Sequence, residues 1–154
     1  MKIKYKVLII CLVIVYSIAF IGSLFTSGNT DSEWYISNKP SITPPNYFFP
    51  IAWNILFFLI ALSLYFVWIK SKKKQKPNIA TIFGINLILN VLWSFLFFKL
   101  QQPFWAFVDL IALWISICGM VYIAHHIDKK SGWLLVPYLL WVSFAGILNY
   151  LWMI

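Results

Sequence analysis

Five stretches of this chain, residues 7–24, 47–69, 79–100, 104–124 and 133–153, stay apolar for close to the roughly 20 residues that a helix needs to cross the hydrocarbon of a bilayer. That pattern excludes a water-soluble architecture. The chain is 62% hydrophobic and 10% charged, and a soluble domain of 154 residues could not bury so much apolar surface. Most of the molecule therefore has lipid as its solvent. The expectation is an all-α integral membrane protein, a single domain over residues 1–154 built as a five-transmembrane-helix bundle.

The charges orient that bundle. All 12 basic residues are lysine. Lys2, Lys4 and Lys6 precede the first span, Lys70, Lys72, Lys73, Lys74 and Lys76 follow the second, and Lys129 and Lys130 follow the fourth. With an odd number of spans, these groups share one side of the membrane, and Lys39 and Lys99 lie on the other. Lysine excess marks cytoplasmic loops, which puts the N-terminus inside and the C-terminus outside. The first stretch reads as a retained span. Its apolar run is long for a signal peptide, and no A-x-A pattern follows it. The net charge of +8 does not point to nucleic acid, because the lysine blocks read as a topology signal with some contact to anionic lipid. Cys11 and Cys118 sit inside apolar runs, so neither a disulfide nor a metal site is expected.

Polar side chains inside a membrane are costly and therefore informative. Asn86, Asn90 and Ser94 recur every four residues and share a helix face, flanked by Trp93 and Phe97. Asp109 is the one carboxylate of the fourth span, and Ser143 and Asn149 lie in the fifth. Trp53 and Phe57 in the second span, and Trp141 and Ala145 in the fifth, sit on aromatic and small-residue stripes at helical spacing. Counted from the outer ends of the spans, Trp53, Asn90, Trp93, Asp109 and Ala145 occupy the outer half, with Trp141 a little deeper. An outer-half pocket with aromatic walls follows, closed by the long loop 25–46.

Other readings stand beside it. Asn86, Asn90 and Ser94 could simply bond neighbouring helices. Asp109 reads first as a structural acceptor for an indole N–H or a hydroxyl, and second as a ligand contact. Trp34, Trp68, Trp105, Trp133 and Trp152 fit an interfacial belt or a cap. His125 and His126 fall at the inner end of the fourth span and read first as solvated loop residues and second as metal ligands. Ala19-x-x-x-Ser23 and Ala80-x-x-x-Gly84 offer small faces for close helix contact, in a homodimer or within one chain.

Three segments, "WYISNKPSITPPNYFFPIAWNILF", "LNVLWSFLFF" with "FVDLIALW", and "VPYLLWVSFAGILN", resemble the family of tryptophan-rich sensory proteins and translocator proteins (peripheral-type benzodiazepine receptors), specifically its bacterial branch. Trp34, Tyr35, Lys39, Pro40, Pro44, Pro45, Tyr47, Phe49 and Trp53 match the family pattern of the first loop and second span. Asn90, Trp93, Ser94, Asp109, Pro137, Tyr138, Trp141, Ala145 and Asn149 match further positions. The chain departs at Ile42, where an aromatic is usual, and at Tyr47, where tryptophan is common. The resemblance implies a bundle in a bacterial cytoplasmic membrane, often dimeric, that binds porphyrins such as protoporphyrin IX as ligand or substrate and needs no further cofactor. Sterol binding, transport, and light-dependent porphyrin breakdown with Trp53 and Trp141 as photochemical residues are the alternatives it brings. Pro44 and Pro45 would then set an extended approach to the second span and hold Trp34 and Tyr35 over the face carrying Trp53.

Overall fold

The computed structural model describes residues 3–154, so Lys2 lies outside the described residues. Five helical runs are long and apolar enough to cross a membrane: Tyr5–Thr26, Phe48–Lys70, Lys73–Lys99, Pro103–Ile127 and Lys129–Leu151. These are the five expected spans, each displaced by a few residues.

Local chemistry sets their ends. Helix α1 (Tyr5–Thr26) stops at Ser27, and Gly28 follows in the left-handed region at φ 78°, which turns the chain. A short helix α2 (Glu33–Asn38) is N-capped by Ser32, whose Oγ accepts from the Tyr35 N–H at 3.2 Å. Helix α3 (Phe48–Lys70) begins three residues after the double proline, with Pro50 in its own first turn. Pro45 contributes its carbonyl, which accepts from the Phe48 N–H at 2.9 Å. The double proline therefore forms the turn ahead of the span and is not part of the helix start.

Helix α4 (Lys76–Ser94) follows a 3-10 turn at Lys73–Gln75 and runs on into one wide π turn, Phe95–Lys99. The Leu100 N–H bonds back five residues to Phe95 at 3.0 Å. Gln101 takes φ 52° to reverse the chain, and Pro103 opens α5 (Pro103–Ile127). The fifth span is two helices, α6 (Lys129–Leu134) and α7 (Val136–Leu151). A single helix from residue 133 was expected. The break falls at Leu135, just before Pro137, which has no N–H to continue the ladder.

Neighbouring helices follow the order α3, α1, α4, α5, α7 around the bundle, and α3 meets the fifth span chiefly through α6. Val15, Ile60, Ala61, Leu113, Ile117 and Val142 fill the axis, while Ile9, Ile10 and Val13 of α1 face outward. One end of the bundle carries the lysines and the other carries the long loop. At the lysine end, Ser63 Oγ donates to the Ser131 carbonyl at 2.9 Å, and Lys70 pairs with Asp128 at 2.7 Å. Burial raises the pKa of Asp128, but its bonds from Lys70 and Ser131 outweigh that and hold its carboxyl below the usual carboxylate range. Both cysteines are free.

Candidate ligand site

Four polar side chains meet in the middle of the bundle. Asn86 donates from Nδ2 to Ser116 Oγ at 2.8 Å, Tyr138 donates its hydroxyl to Asn86 Oδ1 at 3.2 Å, and Asn90 donates to the Tyr138 hydroxyl at 3.2 Å. Asn86, Ser116 and Tyr138 are buried to 6% exposure or less. Helices α4, α5 and α7 are thereby joined by hydrogen bonds that hydrocarbon cannot supply. The helix-bonding reading of Asn86 and Asn90 holds. Ser94 also turns inward, with a long bond to its own helix at 3.5 Å.

Over this layer lies a seam of rings between α3 and α7. Trp53 stacks on Phe57 at 5.3 Å and meets Tyr138 edge-on at 6.1 Å. Trp141 meets Phe48 and Phe49, both at 5.9 Å. Trp53 and Trp141 are each half-buried, and Phe57 is buried. The rings thus meet one another at the level where the sequence suggested a pocket.

These contacts fix how the two antiparallel helices align. Trp53 sits opposite Tyr138, and Phe49 opposite Trp141, so α3 ends near the level of Val142. Trp141 therefore lies nearer the loop end than Trp53, contrary to the depth counted from span ends. That count assumed all spans start in one plane. Here α7 continues about ten residues, or ~15 Å, beyond the start of α3. Ala145, half-buried, lies in that upper stretch. Pro44 is half-buried along the descending segment, whereas Pro45 and Tyr47 are exposed, Tyr47 to 69%.

The loop helix α2 lands elsewhere than expected. Trp34 packs on Phe97 at 5.6 Å and on Trp152 at 5.1 Å. Tyr35 is buried against Phe98 at 5.9 Å and Trp152 at 5.1 Å. Neither sits on Trp53. The π turn explains the landing: its extra residue per turn turns both Phe97 and Phe98 inward, with exposures of 4% and 7%. Trp93 packs against both the cap and the main core, stacking on Phe97 at 5.1 Å while its indole N–H donates to Asn149 Oδ1 at 3.1 Å. Asn149 in turn donates to the Pro103 carbonyl at 2.9 Å.

Asp109 departs from its first reading. It is 7% exposed, and neither carboxylate oxygen receives a hydrogen bond from the described residues. Two features escaped the sequence reading. Trp114 donates to Ser143 Oγ at 2.8 Å on the outer face of α5 and α7. Beside that pair runs an open, almost wholly apolar groove of about 420 Å³, lined by Phe107, Ile111 and Gly146 among others. Trp105 and Trp133 are exposed to 57% and 66%, consistent with an interfacial belt.

With the bundle, seam and cap in place, comparison with known sequences gives a consistent result. The profile of the TspO/MBR family matches residues 9–154. "Tryptophan-rich protein TspO" of Archaeoglobus fulgidus is 44% identical over 145 residues, covering 93% of this chain and 92% of the relative. The protein of the same name from Chlorobaculum tepidum is 38% identical over 93% of this chain and 91% of its own. "Translocator protein" of Bos taurus is 31% identical over 85% of this chain and 79% of its own. This five-span integral membrane protein belongs to the TspO/MBR family.

Proposed function

We propose that the protein is a membrane receptor for flat conjugated tetrapyrroles, with protoporphyrin IX as the experimental probe, held between Trp53 and Trp141 at the α3–α7 seam. The observation that carries this is the pairing of two half-buried indoles over a buried polar layer, at a place where α3 and α7 touch mainly through rings. Rings can swing aside on rotamer changes, whereas a packed helix backbone cannot. A flat conjugated ligand would replace ring–ring contacts by equivalent stacking, and the segment 39–47 with α2 would close over it. The lysine end faces the cytoplasm of a bacterial cell in this reading. Ala80 is exposed and a side chain at Gly84 would meet nothing within 4 Å, so this face of α4 is the one assigned to a homodimer.

The test is titration of the purified protein with protoporphyrin IX, followed by tryptophan quenching and the porphyrin absorption band. Each ring contact is worth about 0.5–1.5 kcal/mol beyond burial, so Trp53→Ala or Trp141→Ala should weaken binding by up to roughly tenfold. Trp133→Ala, at the lysine end, should leave it unchanged. Absence of saturable binding, or equal losses in all three variants, would refute the assignment.

A further inference from the structure

The lysine end carries more positive charge than its own partners absorb. Among the described residues Lys4, Lys6, Lys70, Lys72, Lys73, Lys74, Lys76, Lys129 and Lys130 lie there, against the carboxylate of Asp128, which Lys70 and Ser131 already occupy. Six of these lysines fall at one corner, because α1 starts there between α3 and α4. That corner is held in place. The Lys4 N–H donates to the Tyr65 hydroxyl at 3.0 Å, about a turn and a half before α3 ends. The Lys76 ammonium lies 5.1 Å from the centre of the Trp68 ring. The turn between α3 and α4 closes on itself: Lys72 N–H donates to Gln75 Oε1 at 2.8 Å, and Gln75 N–H to the Lys72 carbonyl at 2.9 Å. A topology signal needs only a number of lysines and has no use for their placement. Next to the corner, α1 turns an apolar face outward, with Ile9, Ile10 and Val13 each more than half exposed. An open groove of about 590 Å³, lined by Val13, Tyr16 and Phe20 among others, continues that face. Val13 lies ~12 Å along the axis from Tyr5, so the groove begins in the depth of the bilayer.

We infer that this corner is a binding site for one anionic phospholipid, its phosphate among Lys4, Lys6, Lys72, Lys73, Lys74 and Lys76 and a tail along the outward face of α1. The charge selects an anion, since the corner holds no carboxylate of its own to neutralise it. The position selects a lipid. Lys4 and Lys76 are anchored at the level of Tyr65 and Trp68, within the last turns of a membrane span, where long lysine side chains reach up to the phosphates of neighbouring lipids. The closed turn keeps Lys72, Lys73 and Lys74 at that surface. A soluble polyanion would meet the same charges but would leave the apolar face and groove of α1 uncovered. Lys129 and Lys130 stand apart from the site. They open α6, which packs on α5 and on α3 but not on α1. The site is separate from the ring seam and stands whether or not the seam takes a ligand.

The experiment uses the full chain, delipidated in a neutral detergent at low salt, and three probes. Dioleoyl phosphatidylglycerol and dioleoyl phosphatidylcholine share their tails and differ in charge, and glycerol 3-phosphate has the phosphate without tails. Bound lipid is counted by native mass spectrometry and stability is read as melting temperature. Wild-type protein should retain one phosphatidylglycerol, prefer it to phosphatidylcholine by at least about tenfold, and melt higher with it. Glycerol 3-phosphate should do neither. A lysine near a membrane surface is worth about fivefold, so Lys72→Gln, Lys73→Gln and Lys74→Gln together should lower the preference by about tenfold or more. Lys129→Gln with Lys130→Gln, at the same end but off the corner, should lower it by no more than about threefold, where a pure charge count predicts about 25-fold. Unchanged melting in phosphatidylcholine is the check on folding. Equal losses per lysine in the two variants, or no preference in the wild type, would overturn the site. Binding of glycerol 3-phosphate as tight as that of phosphatidylglycerol would overturn the lipid assignment. Should the triple variant not elute as a folded species, Lys4→Gln with Lys6→Gln carries the same expectation, and an unaltered preference there overturns the inference.

Discussion

Helix α3 meets the fifth span in two very different ways along its length. At the lysine end it is fastened to α6 by a buried hydrogen bond from Ser63 to Ser131 and by the Lys70–Asp128 pair. There Gly132 lies so close to α5 that a Cβ on it would fall 2.8 Å from His125 Cβ and 3.0 Å from its Cα. At the loop end the same helix meets α7 through Trp53, Trp141, Phe48 and Phe49. One end is locked by backbone contact and polar bonds, and the other is closed by side chains alone. Such a pair can open at one end while its alignment is held at the other, which, in the receptor reading proposed above, would let a closed bundle admit a ligand without unfolding.

The sharpest way to break the locked end is Gly132→Val. The clash is with backbone atoms of His125, which cannot swing away, so a loss of about 1–3 kcal/mol or more is expected, read as a lower melting temperature in detergent. Unchanged melting would mean the α5–α6 contact is not the lock described.

The Asp128 corner comes next. Asp128→Ala removes the cap of α6 as well as the ion pair, and about 1–2 kcal/mol should go with it. Acid should mimic this. The folded carboxyl lies below its ordinary value of 3.8, so its contribution is complete above that pH and is lost as pH falls through the folded value. Melting temperature should stay level from neutral pH to about 4 on this account, then drop in wild type more steeply than in Asp128→Asn. Parallel curves would remove the pair from the lock.

The open end should respond the other way. Trp141→Phe and Trp53→Phe should barely move melting, since both rings are half-buried and a ring remains, and protoporphyrin IX should still bind. Illumination then sharpens the comparison. If the wild type breaks down bound porphyrin and the phenylalanine variants bind without doing so, the indoles take part in redox chemistry. If binding and breakdown fall together, they are walls. The smallest effect on the folded monomer is expected of Gly84→Leu, whose new side chain meets open space. It should change oligomeric state by cross-linking or mass while leaving melting within about 0.5 kcal/mol, and an unchanged dimer would exclude this face.

The spans were legible because hydropathy and length decide them, and the stripe of Asn86 and Asn90 was legible because helical spacing puts them on one face. Their partners were not. Nothing in one sequence states that Ser116 and Tyr138 face that stripe, since either could rotate toward other neighbours. The landing of α2 was hidden by the π turn: regular spacing places Phe97 with Trp93 but turns Phe98 about 100° away, and the wider turn buries both. The relative depth of Trp53 and Trp141 was missed for a similar reason. Residues count distance along a helix, but they do not say where that helix starts.

The polar chain of Ser116, Asn86, Tyr138 and Asn90 has a consequence for how the molecule is assembled. Helices inserted into lipid one by one find little to choose between alternative alignments, because apolar side chains pack against lipid tails about as well as against one another. Sliding α7 by one turn would strand the Tyr138 hydroxyl and break its bonds to both amides, Asn86 and Asn90, in hydrocarbon. The chain of bonds thus proofreads the alignment of three helices after insertion, and its value lies in the yield of correctly assembled bundles more than in the stability of a bundle once made.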